Sequence, residues 1–268
     1  MQIYADKFNF HELVEALRHV GIVMNNHYWI YISIFFIMTE FFKYKTIDKT
    51  MRESWLISIV FWALNSITIL VCGTLGVFLG RLVDFGFDSK NLFDNEIILF
   101  FYFLIVMDLI VFFYHWLHHK KFLWRFHLIH HVEPRPSSFS AFRFHPIENS
   151  IFPFYNFFVG TIMKVPVSFS ISITVAVYFL SLYVHSRLYL PVKIESIISK
   201  VFVTPRYHHV HHEKYLDRSY NFGLFLTIWD RLIGTYLPFE EVKHECYGVK
   251  EVEEKDANDL RKNLFSRL

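Results

Sequence analysis

Long uncharged runs separated by short polar connectors dominate the first two thirds of this chain. Three runs reach or approach the ~20 residues that cross a ~30 Å hydrocarbon core. Tyr28 to Phe42 has only Glu40 as a charge, Trp55 to Gly80 has none, and Ile97 to Tyr114 has only Asp108. A fourth apolar region, Ile151 to Val184, is interrupted by Lys164 and Pro166. At ~1.5 Å per residue it is too long for one upright helix and short for two full spans plus a turn. It reads as a tight hairpin with its tip at Lys164 and Pro166, because proline removes a helix donor and lysine prefers the aqueous boundary.

The pattern predicts an all-α integral membrane protein, residues 1–268 forming one membrane-embedded domain. About four to five membrane-embedded helices are expected, the last pair a hairpin. Mixed charges in the first 26 residues lack the cationic start and cleavage site of a signal peptide. Lys43, Lys45, Lys49 and Arg52 follow the first run and Lys120, Lys121 and Arg125 follow the third, whereas Asp84, Asp88, Asp94 and Glu96 fill the loop between the second and third. Positive-inside reasoning then puts the region after the third run in the cytoplasm, as a helical cap on the bundle, and a hairpin returns the chain to that side. The host membrane would be the endoplasmic reticulum or a bacterial inner membrane. Beyond Lys193 the chain is polar apart from Phe222 to Tyr236, expected as an amphipathic helix against the membrane face because Asp230 and Arg231 interrupt it. Residues 241–268 alternate charges and are expected as a solvated tail or helix.

Composition agrees with burial in lipid. Of 268 residues, 53% are hydrophobic and 20% aromatic, which excludes a disordered chain. A net charge of +2 lacks the basic footprint that nucleic acid requires. Cys72 and Cys246 are too few for a disulfide framework or a thiolate metal site, so any metal must be held by nitrogen or oxygen.

Histidine is the anomaly. The chain has 16, against the roughly 6 that average composition would give. Twelve of them fall between His115 and His212. His115-Trp116-Leu117-His118-His119 begins where the third run ends, and residues four apart on a helix share a face. His127-Leu128-Ile129-His130-His131 and His208-His209-Val210-His211-His212 each put three imidazoles on one helical flank, able to hold one ion or to bridge two. Such crowding would be self-repelling on protonation and costly at a bilayer boundary, whereas a metal supplies the missing partner. Three clusters exceed the four to six positions of a single first-row ion, so two ions are expected rather than one.

The order HxxxH, HxxHH, hairpin, HxxHH, with Pro205 before the last box and Trp229 to Tyr236 downstream, resembles the fatty acid hydroxylase/sterol desaturase superfamily over residues 97–240. The resemblance implies a membrane-bound non-haem diiron oxidase that hydroxylates or desaturates a lipid C–H bond with dioxygen. By the family motif the ligands to two Fe ions, or to Zn as a substitute, would be His115, His119, His127, His130, His131, His208, His211 and His212, with His185 as an additional family histidine. Residues 97–240 would be the catalytic region. Some family members carry a further histidine four residues after the hairpin one, where this chain has Tyr189. His145, in Arg143-Phe144-His145-Pro146-Ile147-Glu148, is a candidate replacement or supporting group. Asp108, seven residues before His115, is a candidate to orient a ligand imidazole, and Asn221 a candidate supporting hydrogen bonder. His118 and His209 fall outside the pattern and are expected as hydrogen-bonding neighbours. No haem or flavin segment is visible, so electrons would come from an external cytochrome b5-, ferredoxin- or pterin-type donor. An ether-lipid monooxygenase on the same centre, a zinc-dependent membrane hydrolase and a metal transporter are the alternatives.

Overall fold

A computed structural model of the protein describes residues 34, 38, 47–83, 88–216, 219–242 and 246–266. The expected first run, Tyr28 to Phe42, lies outside these residues except for Ile34 and Met38. The described chain is all-α, and its extended pairing consists of two isolated bridges, Phe202 with Leu226 and Glu213 with Tyr247.

Helix α1 (Lys49–Leu82) starts at Asp48, whose carboxylate accepts from the Met51 amide at 2.9 Å. Helix α2 (Glu96–His118) starts at Asn95, whose side chain accepts from the Ile97 and Ile98 amides. Helix α3 (Lys121–His131) follows a tight turn. Helices α4 (Pro146–Ile162) and α5 (Val167–His185) form the predicted hairpin, with Lys164 at φ 54° and Pro166 capping α5. By length and composition α1, α2 and α5 are each able to cross a membrane. The 17-residue α4 runs beside them.

The hairpin runs the length of α2. Its tip residues Met163 and Val165 pack with Leu99, Phe103 and Met107 of α2, and the Met163 carbonyl accepts from the Ser89 amide at 3.2 Å. The tip therefore lies at the end of α2 opposite the histidines, and the chain leaves and re-enters on one side.

In lipid, apolar surface gives helices no preference for one another, so close backbone approach and polar ties hold the bundle. On α1, Gly73, Gly76 and Gly80 lie three and four residues apart and face α4. A Cβ at Gly76 would stand 2.4 Å from the Phe154 carbonyl oxygen. Asn149 on α4 donates to Thr68 Oγ1 on α1 at 2.7 Å, and Asn156 donates to the Ser170 carbonyl on α5 at 2.7 Å.

Two expectations are overturned. Phe222 to Tyr236 is not one amphipathic helix. Only Ile228–Ile233 is helical (α8), ended by Gly234 at φ 80°, while Phe222 is buried and Asp230 is fully buried. The preceding segment is a loop because Asp230 binds the backbone amides of Phe222 and Gly223 at 2.8 and 2.7 Å, which competes with helical pairing. The C-terminal residues are not a solvated tail. Tyr247, Val249, Ala257 and Asn263 are buried. The fully buried Arg143 reaches Asn258 Oδ1 at 3.1 Å, the Ala257 carbonyl and Ser54, and Ser54 in turn donates to Glu133. This network ties the C-terminal segment to α1 and to the cap.

Replacing Gly76 by alanine forces the α1 and α4 backbones apart and should cost about 1–3 kcal/mol. Gly73→Ala meets only the movable Phe157 ring, at 3.0 Å, and should cost less. Unfolding midpoints in detergent should fall in that order; equal midpoints would show that α1 and α4 do not approach closely at Gly76.

Candidate metal centre

The cap gathers the ends of four helices. His115 lies one turn before the end of α2, and His119 caps that helix. His127, His130 and His131 form the last turn of α3, and His185 is the last residue of α5. The short helix α7 (Pro205–His211) carries His208 and His211 and is capped by His212. Its start is fixed by Thr204, which accepts from the Tyr207 amide, and by Pro205 at the first position. Between α5 and α7 lies α6 (Val192–Ile198).

These residues fall into two groups whose ligand nitrogens lie within 4.8 Å of one another: His115, His119, His127, His131 and His211, and then His130, His185, His208 and His212. All nine histidines singled out from the sequence are present. Each HxxHH box is divided between the groups. His127 and His131 serve the first while His130 serves the second; His208 and His212 serve the second while His211 serves the first. Helical spacing accounts for the division, because residues four apart share a direction and the third neighbour diverges from it. The groups abut where His131 stacks on His212, centroids 4.4 Å apart.

Hydrogen bonds fix the tautomers. His115 Nδ1 donates to the Phe222 carbonyl at 2.7 Å, His211 Nδ1 to the Tyr220 carbonyl at 2.8 Å and His185 Nδ1 to the Ser181 carbonyl at 2.7 Å. Each Nε2 in these rings is then a bare lone pair. Those of His115 and His211 are buried without a hydrogen-bond partner among the described residues. His185 Nε2 faces Nε2 of His130 at 3.0 Å and of His208 at 3.1 Å. Nδ1 of His130 and of His208 is buried without a hydrogen-bond partner among the described residues, so no outer bond fixes their tautomers. A cation would be held by all three Nε2 atoms. Two nitrogens at right angles around an ion ~2.1 Å away stand ~3.0 Å apart, which matches these separations.

The surroundings are dry and keep the imidazoles neutral. Phe144 stacks beneath His130 with centroids 4.3 Å apart, Trp124 packs on His119 and His131, and Phe222 touches His115, His119 and His211. Burial holds His130, His131, His208 and His212 well below the ordinary imidazole range and lowers His209 and His211 to about 3.

A family model described as fatty acid hydroxylase matches residues 100–235, which hold all nine histidines. This chain belongs to the fatty acid hydroxylase family. It is 29% identical over 145 residues to the lathosterol oxidase of Mus musculus, covering 52% of this chain and 45% of that protein. It is 31% identical over 119 residues to ornithine lipid hydroxylase OlsE of Rhizobium tropici, covering 42% and 34%. With sphinganine C4-monooxygenase 1 of Arabidopsis thaliana it shares 29% over 147 residues, covering 52% and 54%. The chain thus spans about half or less of the length of these relatives. No solved structure matches it.

Other residues singled out from the sequence stand apart from the groups in this fatty acid hydroxylase family member. Asp108 orients no imidazole, contrary to expectation. Its carboxylate accepts from Trp229 Nε1 at 2.8 Å and the Leu226 amide at 3.2 Å, because the loop before α8 fills the flank of α2 and needs an acceptor for its own amide. His145 belongs to neither group. It caps α4, accepting from the Ile147 amide at 3.1 Å, and packs on Phe126. Tyr189 occupies the departure from the family pattern, and its hydroxyl meets His209 Nδ1 at 2.7 Å rather than either group. His118 bonds the Tyr114 carbonyl at 2.8 Å. Asn221, at φ 59°, donates to the Tyr207 and Leu237 carbonyls, and so holds the loop whose carbonyls at Tyr220 and Phe222 orient His211 and His115.

Sequence reasoning assigned no role to two carboxylates. Glu148, fully buried on the first turn of α4, meets His127 Nδ1 at 2.5 Å. A charge just before an apolar run, three residues after a histidine, was its available signal. Asp230 accepts from Tyr207 Oη and Thr235 Oγ1 at 2.7 Å besides the two loop amides, joining α7 to the loop. Its signal was an acid inside an otherwise apolar patch.

Two measurements test this arrangement. Glu148→Gln should weaken metal binding in the five-histidine group by about 10–100-fold while sparing the other, read as metal retained against a chelator. Unchanged affinity in both groups would show that Glu148 does not set the His127 orientation. For metal-free protein, His209 and His211 bind protons only near pH 3 when folded but near the ordinary 6.5 when unfolded. The unfolded state takes up more protons between these limits, so stability should fall as pH drops through that window. The loss is up to about 1.4 kcal/mol per pH unit per histidine, and stability should be level above the window. Denaturant midpoints at about pH 7.5 and about pH 5 check this; equal midpoints would contradict neutral burial.

Proposed function

We propose that this chain is a membrane-bound, non-haem diiron oxidoreductase that hydroxylates or desaturates a lipid C–H bond with dioxygen and externally supplied electrons. The observation that carries the reading is the meeting of nine imidazoles in two abutting groups of five and four. A hydrolytic zinc site uses about three protein ligands. The relatives named for a sterol, a sphingoid base and an ornithine lipid support a lipid substrate. The basic residues Lys120, Lys121 and Arg125 support a cytoplasmic cap.

His115, His119, His127, His131 and His211 would hold one ion, and His130, His185, His208 and His212 the other. The chemistry that an iron pair supplies in such a site is reduction of dioxygen and removal of hydrogen from an alkyl carbon. The protein's part is positional. Carbonyls of Phe222, Tyr220 and Ser181 and the Glu148 carboxylate keep the Nδ1 protons in place and aim Nε2 inward. Phe144, Trp124 and Phe222 exclude water from the rings, and burial keeps the cap histidines unprotonated and able to ligate throughout the physiological range. An electron donor would dock from the aqueous side of the cap, and a lipid tail would approach along the apolar helices.

Iron-loaded protein given a reductant system and a lipid extract should consume dioxygen and yield oxidised lipid. His130→Ala should abolish both and weaken metal binding in its four-histidine group, read as metal lost to a chelator. Turnover without dioxygen in zinc-loaded protein would overturn the proposal.

A further inference from the structure

Two short helices in the cap are built inside out. Helix α6 buries Glu195, and its cap Ser199 is buried too, while Ile194 and Ile197 are exposed, Ile197 at 66%. Helix α8 buries Asp230 completely, while Ile228, Leu232 and Ile233 are exposed, Leu232 at 71%. The buried carboxylates are engaged: Glu195 accepts from the Arg206 amide at 2.9 Å and pairs with its guanidinium, and Asp230 accepts from Tyr207 and the Phe222 loop. A water-facing helix would carry the opposite pattern, with the acids outward and the aliphatic residues beneath. The two elements are joined into one surface by the Phe202–Leu226 bridge and the bond from the Thr227 amide to the Val201 carbonyl.

The position of this surface along the bundle is fixed independently. Leu226 and Trp229 donate to Asp108, ten residues before the end of α2 and so about 15 Å along that helix from His118. At that level α2 shows Ile105 and Phe113 to the outside. The apolar face of α6 and α8 is therefore continuous with the lipid-facing flank of a helix long and apolar enough to span. Around it stand Lys193, Lys200 and Arg231, all exposed, and the Arg231 guanidinium lies over the Tyr236 ring at 3.6 Å. Long basic side chains at the margin of an apolar face suit phosphate headgroups.

We infer that α6 and α8 form a wedge seated in the leaflet on the histidine side, with Ile194, Ile197, Ile228, Leu232 and Ile233 among acyl chains and Lys193, Lys200 and Arg231 at the headgroups. The wedge fastens α7, the helix of the last histidine box, to the membrane through Glu195–Arg206 and Asp230–Tyr207. This inference concerns how the cap meets lipid and stands apart from the oxidase reading.

Depth-dependent quenching decides it. In a Cys72→Ala, Cys246→Ser background, single cysteines at Ile197 or Leu232 are labelled with an environment-sensitive fluorophore. The full chain is then reconstituted in phosphatidylcholine and phosphatidylglycerol vesicles. Ile105→Cys reports the lipid-facing flank of α2, and Lys250→Cys reports the aqueous cap. Labels at 197 and 232 should be quenched by acyl-chain nitroxide lipid as strongly as the label at 105 and be protected from iodide, whereas the label at 250 should show the reverse. Iodide quenching at 197 and 232 comparable to that at 250 would overturn the inference. So would protection from both quenchers, which would mean that protein, a second copy or another segment of this chain, covers the face. The two positions lie on separate elements, so one variant that fails to reconstitute leaves the other to decide.

Discussion

Imidazole Nε2 atoms are held 3.0 to 3.2 Å apart in a dry interior, a spacing that a shared cation would satisfy. The cap is organised around that spacing. Carbonyls from three different segments take the Nδ1 protons of His115, His185 and His211. This guarantees that the lone pairs, not N–H groups, point inward. An ordinary buried histidine would be satisfied by a donor and an acceptor, one for each nitrogen. In these three rings the outer nitrogen is satisfied and the inner one faces the neighbouring imidazoles, in a single place. Burial acts in the same direction, since it disfavours the imidazolium form that would otherwise compete with a metal for the same lone pair.

Holding this arrangement requires that four helix ends stay in register at the membrane surface. The bundle beneath supplies a rigid base through the close approach of α1 and α4 at Gly76 and the amide ties at Asn149 and Asn156. Above it, buried carboxylates divide the remaining work by what they face. Glu148 meets an imidazole directly, whereas Asp108 and Asp230 meet backbone amides of the loop that carries Phe222. That loop is consequently anchored both to α2, through Asp108, and to α7, through Asp230 and Tyr207. Because its carbonyls orient His115 and His211, a displacement of either anchor would be felt in the five-histidine group without any ligand being altered.

Much of this is legible in the local pattern of the chain. Apolar runs mark α1, α2 and the α4–α5 hairpin, Lys164 and Pro166 mark its tip, and histidine spacing selects eight of the nine rings that converge, His185 being implied by the family resemblance. These signals share a cause: each depends on residues a few positions apart, where helical periodicity or the bilayer sets the rule. What escaped depended on partners far along the chain. In sequence Asp108 points to the nearby His115, because its true partners, Leu226 and Trp229, are more than a hundred residues distant. The C-terminal segment was read as solvated because its charges are visible in sequence, while Asn258, whose side chain receives the buried Arg143, is not recognisable as an anchor. Glu148 and Asp230 were passed over for the same reason, as single acids beside apolar runs.

The division of each HxxHH box between two groups has a structural consequence. If each helix end served one ion, α3 and α7 could shift relative to each other and leave both sites intact. With His130 and His211 crossing over, each group draws rings from α3 and α7 together, and the first adds α2 while the second adds α5. A rotation of either helix would then disturb both groups at once. The two sites are mechanically coupled by the helical period itself, because side chains three and four residues on point about 60° to one side and about 40° to the other side of the first. Spacing of three and four in one box is thus a geometric instruction to join two sites, and it explains why the rings of His131 and His212 meet at the seam rather than lying apart.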